Sequence, residues 1–373
     1  MPDPQLAIPP GDRLVHIGFD KTGTTGLQRA LHADRERLRE HGVVYPGTHW
    51  YQKTAGIAIT EAQGNTGDAP VTMAAWADLL AEVKAAGAAR VLVSSEWLCR
   101  ATDRQARRVV RDLGGKRVHI VATLRPLTKI LPSAWQQYVK DGYAGEYEEW
   151  LRGTLSDPTP GFPTPWFWAR HRHEVVLERW AGIVGPAKVT AIVVDSRDHD
   201  LLLRQFEALL GLPEHFLHAS AAGKRNDSLT WPEAELLRQV NQHFAQRGLP
   251  DELYSATVRR GIVPALASAR GGLAAPTPIS TPRWALERAA EIGGSAAAAI
   301  ERSGIRVLGD LAALGAPPGV EAAGEPSPQP PVEVATAVQA ITGALKGSQA
   351  PRPPQPAGSR WRRARRISPV PEF

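Results

Sequence analysis

The sequence predicts an α/β fold: a central, mostly parallel sheet with helices on both faces. Two patterns and the composition carry this expectation. Short apolar runs bounded by turn residues occur at 13–19, 90–97, 116–126 and 188–196. Stretches with helical character separate them, and strands alternating with helices imply parallel pairing covered on both sides. The 373 residues are 43% apolar and 22% charged, ordinary for a folded protein with one large core plus appendages. In such a sheet, binding sites lie at the carboxyl ends of the strands.

MPDPQLAIPPGD at the start lacks a basic segment followed by an apolar one, and residues 1–12 are read as a flexible N-terminus. No run of about 18 apolar residues occurs, so no membrane span and a cytoplasmic location are expected. The α/β domain is assigned to 13–315. Its first run, RLVHIGF, ends in glycine, and Leu27, Leu31 and Leu38 then share one helical face. VVYP at 43–46 is a second short strand closed by Pro46. RVLVSSEW, KRVHIVATLRP and KVTAIVVDS supply further strands. SLTWPEAELLRQVNQHF opens with a Ser before Pro and Glu, a helix start, and a further helical stretch covers 283–303.

Residues 316–373 are rich in proline and poor in periodic apolar residues. They read as a mostly disordered basic tail with one weak helix at 332–345. The net charge is +6, from 44 basic and 38 acidic residues. The tail holds seven Lys/Arg and four Glu, leaving 37 basic against 34 acidic residues elsewhere. The body is thus only mildly basic, which suits a small anionic ligand and gives no expectation of a nucleic-acid partner. WRRARR at 361–366 is either a tether to an anionic surface or a solvated charge run. A single cysteine, Cys99, excludes an intrachain disulfide and a multi-cysteine metal site, and is expected to be buried.

The stretch HIGFDKTGTTGLQRALH, 16–32, places a lysine in a glycine and threonine turn between strand and helix. Unpaired N–H groups at a helix N-terminus, with the helix dipole, form an anion site, and small residues admit close approach. Thr22, Gly23, Thr24, Thr25 and Gly26 supply that surface, and Lys21 adds a charge. A Walker A loop needs its lysine after the second glycine, whereas Lys21 precedes Gly23. The dinucleotide fingerprint G-x-G-x-x-G is absent.

KTGTT after a strand resembles the 5′-phosphosulfate loop of sulfotransferases that use 3′-phosphoadenylyl sulfate (PAPS). A second element is similar to that family's 3′-phosphate element. Arg125 ends HIVATLR, and Ser133 follows eight residues later on the next helix. Arg offers a planar fork to phosphate oxygens, and Ser adds a neutral donor. HADRERLREHGVVYPG, FWARHRHEVVLERWAGIVG, KRNDSLTWPEAELLRQVN and GIRVLGDLAAL also resemble the bacterial branch, so the likeness spans about 13–314. Asp20 departs from the Pro or small residue usual before the lysine. A carboxylate there either turns away from a sulfate or meets the acceptor. Lys224 and Arg225 match a basic loop over the nucleotide.

The resemblance implies a P-loop-like sulfotransferase fold and in-line transfer of a sulfuryl group from PAPS to a hydroxyl of a carbohydrate or small-metabolite acceptor. It implies that Lys21 meets charge on the departing oxygen and that no metal is required. Glu96, after RVLVSS, is either the general base or a structural ion-pair partner of Lys21 or a nearby Arg. His16 is expected in the core, whereas His49, His171 and His173 are alternative bases. PTPWFWARH at 163–171 forms either an acceptor wall or core. The alternative functions are a P-loop-like nucleotide kinase and a non-catalytic anion-binding protein.

Overall fold

The computed structural model describes residues 6–62, 71–156, 164–195, 197–198, 200–218, 228–269, 278–317 and 331–350. Six parallel strands form one sheet: β1 (Arg13–His16), β2 (Val43–Val44), β3 (Arg90–Ser94), β4 (Val118–Leu124), β5 (Val189–Val193) and β6 (Arg306–Leu308). Their order is β2-β3-β1-β4-β5-β6. The α/β expectation therefore holds. β6 was not anticipated, since RVL is short and only partly buried. Numbering only the helices that frame the site and the C-terminal surface, α1 is Thr24–Ala33, α2 Leu127–Lys140, α3 Thr164–His171, α4 Trp231–Arg247, α5 Arg283–Arg302 and α6 Val334–Gln349.

The apolar runs are strands because both faces are covered, and successive side chains serve opposite cores. Val15, Val91, Val93, Ile120 and Ala122 pack on one face. Leu14, Leu92, Val121 and Ile192 pack on the other, against Leu27, Leu31, Leu38 and Phe206. The three leucines do share a core, although the chain divides there into α1 and a helix at Arg35–Glu40. A third core is built mainly from helices and joins Trp135, Trp150, Phe167, Leu237, Tyr254 and Ala285. Phe167 is fully buried with its ring edge-on to Trp150, so this part of the aromatic cluster is core. Pro163 and the Trp166 side chain lie outside the described parts.

α4 begins at Trp231, with Thr230 as its N-cap. The Thr230 hydroxyl accepts from the Glu233 N–H, and Glu233 accepts from the Thr230 N–H. This capping box, rather than Ser228, sets the start. Residues 6–12, read as part of a flexible N-terminus, include a buried Ile8 whose N–H donates to Leu209 and whose carbonyl accepts from Arg90. The helix expected at 332–345 is present as α6, running four residues further, and its small residues Ala340, Gly343 and Gly347 are buried. It packs on a π-helical segment, Ser255–Ile262. Gly261 and Gly343 are so close there that a Cβ on Gly343 would lie 2.6 Å from the Gly261 carbonyl oxygen.

Candidate anion-binding and catalytic site

The connection leaving β1 runs toward β2 on one side, and that leaving β4 runs toward β5 on the other. The adjacent ends of β1 and β4 are therefore the topological switch point, where open α/β sheets form a crevice. Past β1 the chain still follows β4: the N–H groups of Ile17 and Phe19 donate to Val121 and Thr123. It then turns sharply. Gly18, Lys21 and Gly23 have φ of 95°, 66° and 83°. Lys21 is a non-glycine in the left-handed region, a strained conformation concentrated at functional sites.

This turn delivers Gly23 as the N-cap of α1, with no side chain capping the helix. The first-turn N–H groups are thus left for another acceptor. Gly23, Thr25 and Gly26 are exposed, and a Cβ on either glycine would meet nothing within 4 Å. Thr22 and Thr24 are instead buried. The Thr22 hydroxyl donates to the Phe19 carbonyl at 2.7 Å and lies 2.6 Å from the Thr123 hydroxyl. Thr24 Oγ1 donates to Glu96 Oε1 at 2.5 Å.

Lys21 Nζ donates to Gln137 Oε1 on α2 at 3.1 Å. Burial pulls its pKa down, opposed by the negative charges of Asp20 and Asp141. Arg125 Nη1 donates to the Lys21 carbonyl at 3.0 Å, tying the end of β4 to the loop. Burial lowers the Arg125 pKa. Lys129, Ser133 and Gln137 recur every four residues on α2 and so share a face. Ser133 thereby stands between Lys129, at a cleft beside Arg125, and Gln137, at Lys21. The cleft has a volume of about 330 Å³ and opens past the ends of β4, β5 and β6, with Asp195, Arg197, Asp198 and Asp310 also on its walls.

Glu96 opens a 3₁₀ turn, Glu96–Arg100, two residues beyond β3. Burial raises its pKa, against donation from Thr24 and Gln28. Gly18 permits this approach, because a Cβ there would lie 3.1 Å from Glu96 Cα. Asp20 turns to another pair of partners, Arg100 at 3.0 Å and Arg170 of α3 at 3.5 Å. Burial would raise its pKa, but Arg100, Arg170 and Lys21 hold it below the usual carboxylate value.

His16 is core, as expected: it is fully buried, its Nδ1 lies 2.7 Å from Ser94 Oγ, and burial lowers its pKa to about 3. His171 and His173 are buried too, and burial lowers them to about 3 and about 4, so both are neutral at pH 7. His49 is exposed in a loop. Cys99 is buried. Lys224 and Arg225 lie outside the described residues.

Gln28, Thr123, Gln137, Arg100 and Arg170 were not identified from sequence. Two were within reach, because Gln28 lies four residues after Thr24 and Gln137 four after Ser133, the spacing of one helix face. No cluster of three or more His, Cys, Asp or Glu with metal-holding geometry occurs among the described residues. No helix among them is long and apolar enough to cross a membrane.

No protein-family model matches the chain, and no curated protein does. Among solved structures, the crystal structure of a sulfotransferase from Alicyclobacillus acidocaldarius aligns with a TM-score of 0.39 and 16% identity. The alignment covers 65% of this chain and 97% of that one.

Proposed function

We propose that the protein transfers a sulfuryl group from PAPS to a hydroxyl of a carbohydrate or small-metabolite acceptor. The observation that carries this reading is the pairing of two anion-ready elements at one switch point. An uncapped, open helix N-terminus with Lys21 lies beside Arg125, a partly buried guanidinium tied to the loop through the Lys21 carbonyl and facing the cleft. A donor with phosphosulfate at one end and a 3′-phosphate at the other needs two such sites.

The residues fit that donor. The open space over Gly23 and Gly26 accommodates a 5′-phosphosulfate within reach of the α1 N–H groups. Arg125 and Ser133 hold the 3′-phosphate, and the adjoining cleft, within the usual size range of ligand pockets, takes the nucleoside. Lys224 and Arg225 remain assigned to the same nucleotide by resemblance.

In the transfer the acceptor oxygen bonds to sulfur as the bond from sulfur to the phosphate oxygen breaks. The hydroxyl proton goes to Glu96, and 3′,5′-adenosine bisphosphate departs. Lys21 places positive charge where the departing oxygen becomes negative, and the α1 amides hold the phosphate in line. The raised pKa of Glu96 makes it a stronger base than an exposed carboxylate. Asp20, held by two arginines and shifted the opposite way, is the poorer base. No step in this scheme calls for a metal ion.

Calorimetric titration with 3′,5′-adenosine bisphosphate, with and without magnesium and beside ADP, tests the reading. The expected result is metal-independent binding at micromolar or lower Kd, about −8 kcal/mol or better, with ADP much weaker. Arg125→Ala should weaken that binding at least tenfold, since a hydrogen bond to a charged group contributes about 1.5–3 kcal/mol. Magnesium-dependent binding of ADP alone would make the loop a kinase-type site.

A further inference from the structure

Among the described residues, five large apolar side chains are exposed, and four lie on α6. Val334, Val338, Ile341 and Leu345 are 79%, 53%, 62% and 58% exposed. The fifth, Leu253, belongs to the short helix leading into the π-helical segment on which α6 rests. α6 thus faces the domain with glycine and alanine and turns its large apolar side chains outward. That inverts the usual amphipathic arrangement and marks an interaction surface.

The spacing of the four residues is 4, 3, 4, the seam of a coiled coil, and at 3.6 residues per turn they fall within about 60° of arc. The flanking positions, Ala335 and Thr342 on one side and Ala337 and Ala344 on the other, are small and uncharged. They neither repel a partner helix nor hold it away.

The same spacing reads identically from either end. Two copies of α6 laid antiparallel, with a two-fold axis between positions 339 and 340, put Val334 opposite Leu345 and Val338 opposite Ile341. A surface complementary to itself under a two-fold is what an isologous dimer requires. We propose that the outer face of α6 is a homodimer interface formed by antiparallel pairing of this helix with that of a second copy. Covering this stripe with its flanks on both copies removes roughly 1,000 Å² from water, the lower end for specific interfaces. The dimer is therefore reversible, and it does not depend on the sulfuryl-transfer reading.

Sedimentation velocity of the full chain over a range of concentrations tests this. The expected result is a concentration-dependent shift to twice the monomer mass. Val338→Glu and Ile341→Glu, at exposed sites away from the α6–domain contact, should each remain monomeric with unchanged circular dichroism. Under oxidation, a mixture of Val334→Cys and Leu345→Cys proteins should form a mixed disulfide, while Val334→Cys alone should not; Cys99 is buried and does not interfere. A wild type that stays monomeric throughout, or a dimer that survives both glutamates, would overturn the proposal. So would self-linking of Val334→Cys, which indicates parallel pairing. A monomer whose residues 351–373 become protease-sensitive in Ile341→Glu would also overturn it, by making the chain's own end the occupant.

Discussion

Two neighbouring carboxylates with opposite pKa shifts separate chemistry from support at the residue scale. Glu96 is raised by burial, whereas Asp20 is held low by Arg100 and Arg170. Because the folded-state pKa of Glu96 lies above its unfolded value, the folded protein binds the extra proton, and stability falls as pH rises through that window. Glu96→Gln imitates the protonated form. It should raise Tm at neutral pH and leave it unchanged below the unfolded carboxylate pKa, while turnover falls by about 100-fold or more. Thermal melts at the two pH values, beside a sulfate-transfer assay, check both halves. A variant that loses activity without the pH-selective gain in stability would show that Glu96 is not the strained group. Lys21 and the open glycines were legible in the sequence, because a short loop carries its own geometry, and Arg125 through its place at the end of an apolar run. The inward turn of Thr22 and Thr24 was not, since it depends on Thr123 and Glu96, far away along the chain. Nor was the fate of Asp20, whose partners lie 80 and 150 positions on.

At the scale of elements, buried strands announced themselves as apolar runs, and β6 did not because its residues are half exposed. Helix starts were legible to within a few residues, and the capping box shows why α4 begins where it does. Thr230→Ala should cost about 1 kcal/mol, measurable by denaturant unfolding, with nucleotide affinity unchanged. α6 escaped a full reading because its contact surface is made of Ala and Gly, which carry almost no hydrophobic signal. Its packing is nonetheless specific. Gly343→Ala would press a methyl group against the Gly261 carbonyl, and overpacking of this kind costs about 1–3 kcal/mol. Hydrogen exchange should then quicken across 331–350 and 255–262, while the strands stay protected. Equal protection in the variant and wild type would mean that the two segments are not packed through these glycines.

For the whole molecule, the candidate site and the C-terminal surface draw on different parts of the structure. Lys21, Glu96 and Arg125 follow β1, β3 and β4, the central strands, so a ligand held by them is coupled to the cores on both sheet faces. α6 rests instead on the helical core around Tyr254 and Val258. Binding at the first place should therefore stabilise the chain against global unfolding, whatever happens at the second. With 3′,5′-adenosine bisphosphate at a hundred times its Kd, the gain expected by mass action is about 2.7 kcal/mol. A chain ending at residue 317 should show that same ligand-dependent gain, lose the concentration-dependent doubling of mass, and exchange faster at 255–262. Calorimetric unfolding of both chains with and without the nucleotide, beside their sedimentation, measures all three. If the shortened chain lost the nucleotide-dependent gain, residues beyond 317 would have to contribute to the anion site, and the separation of the two regions would fail.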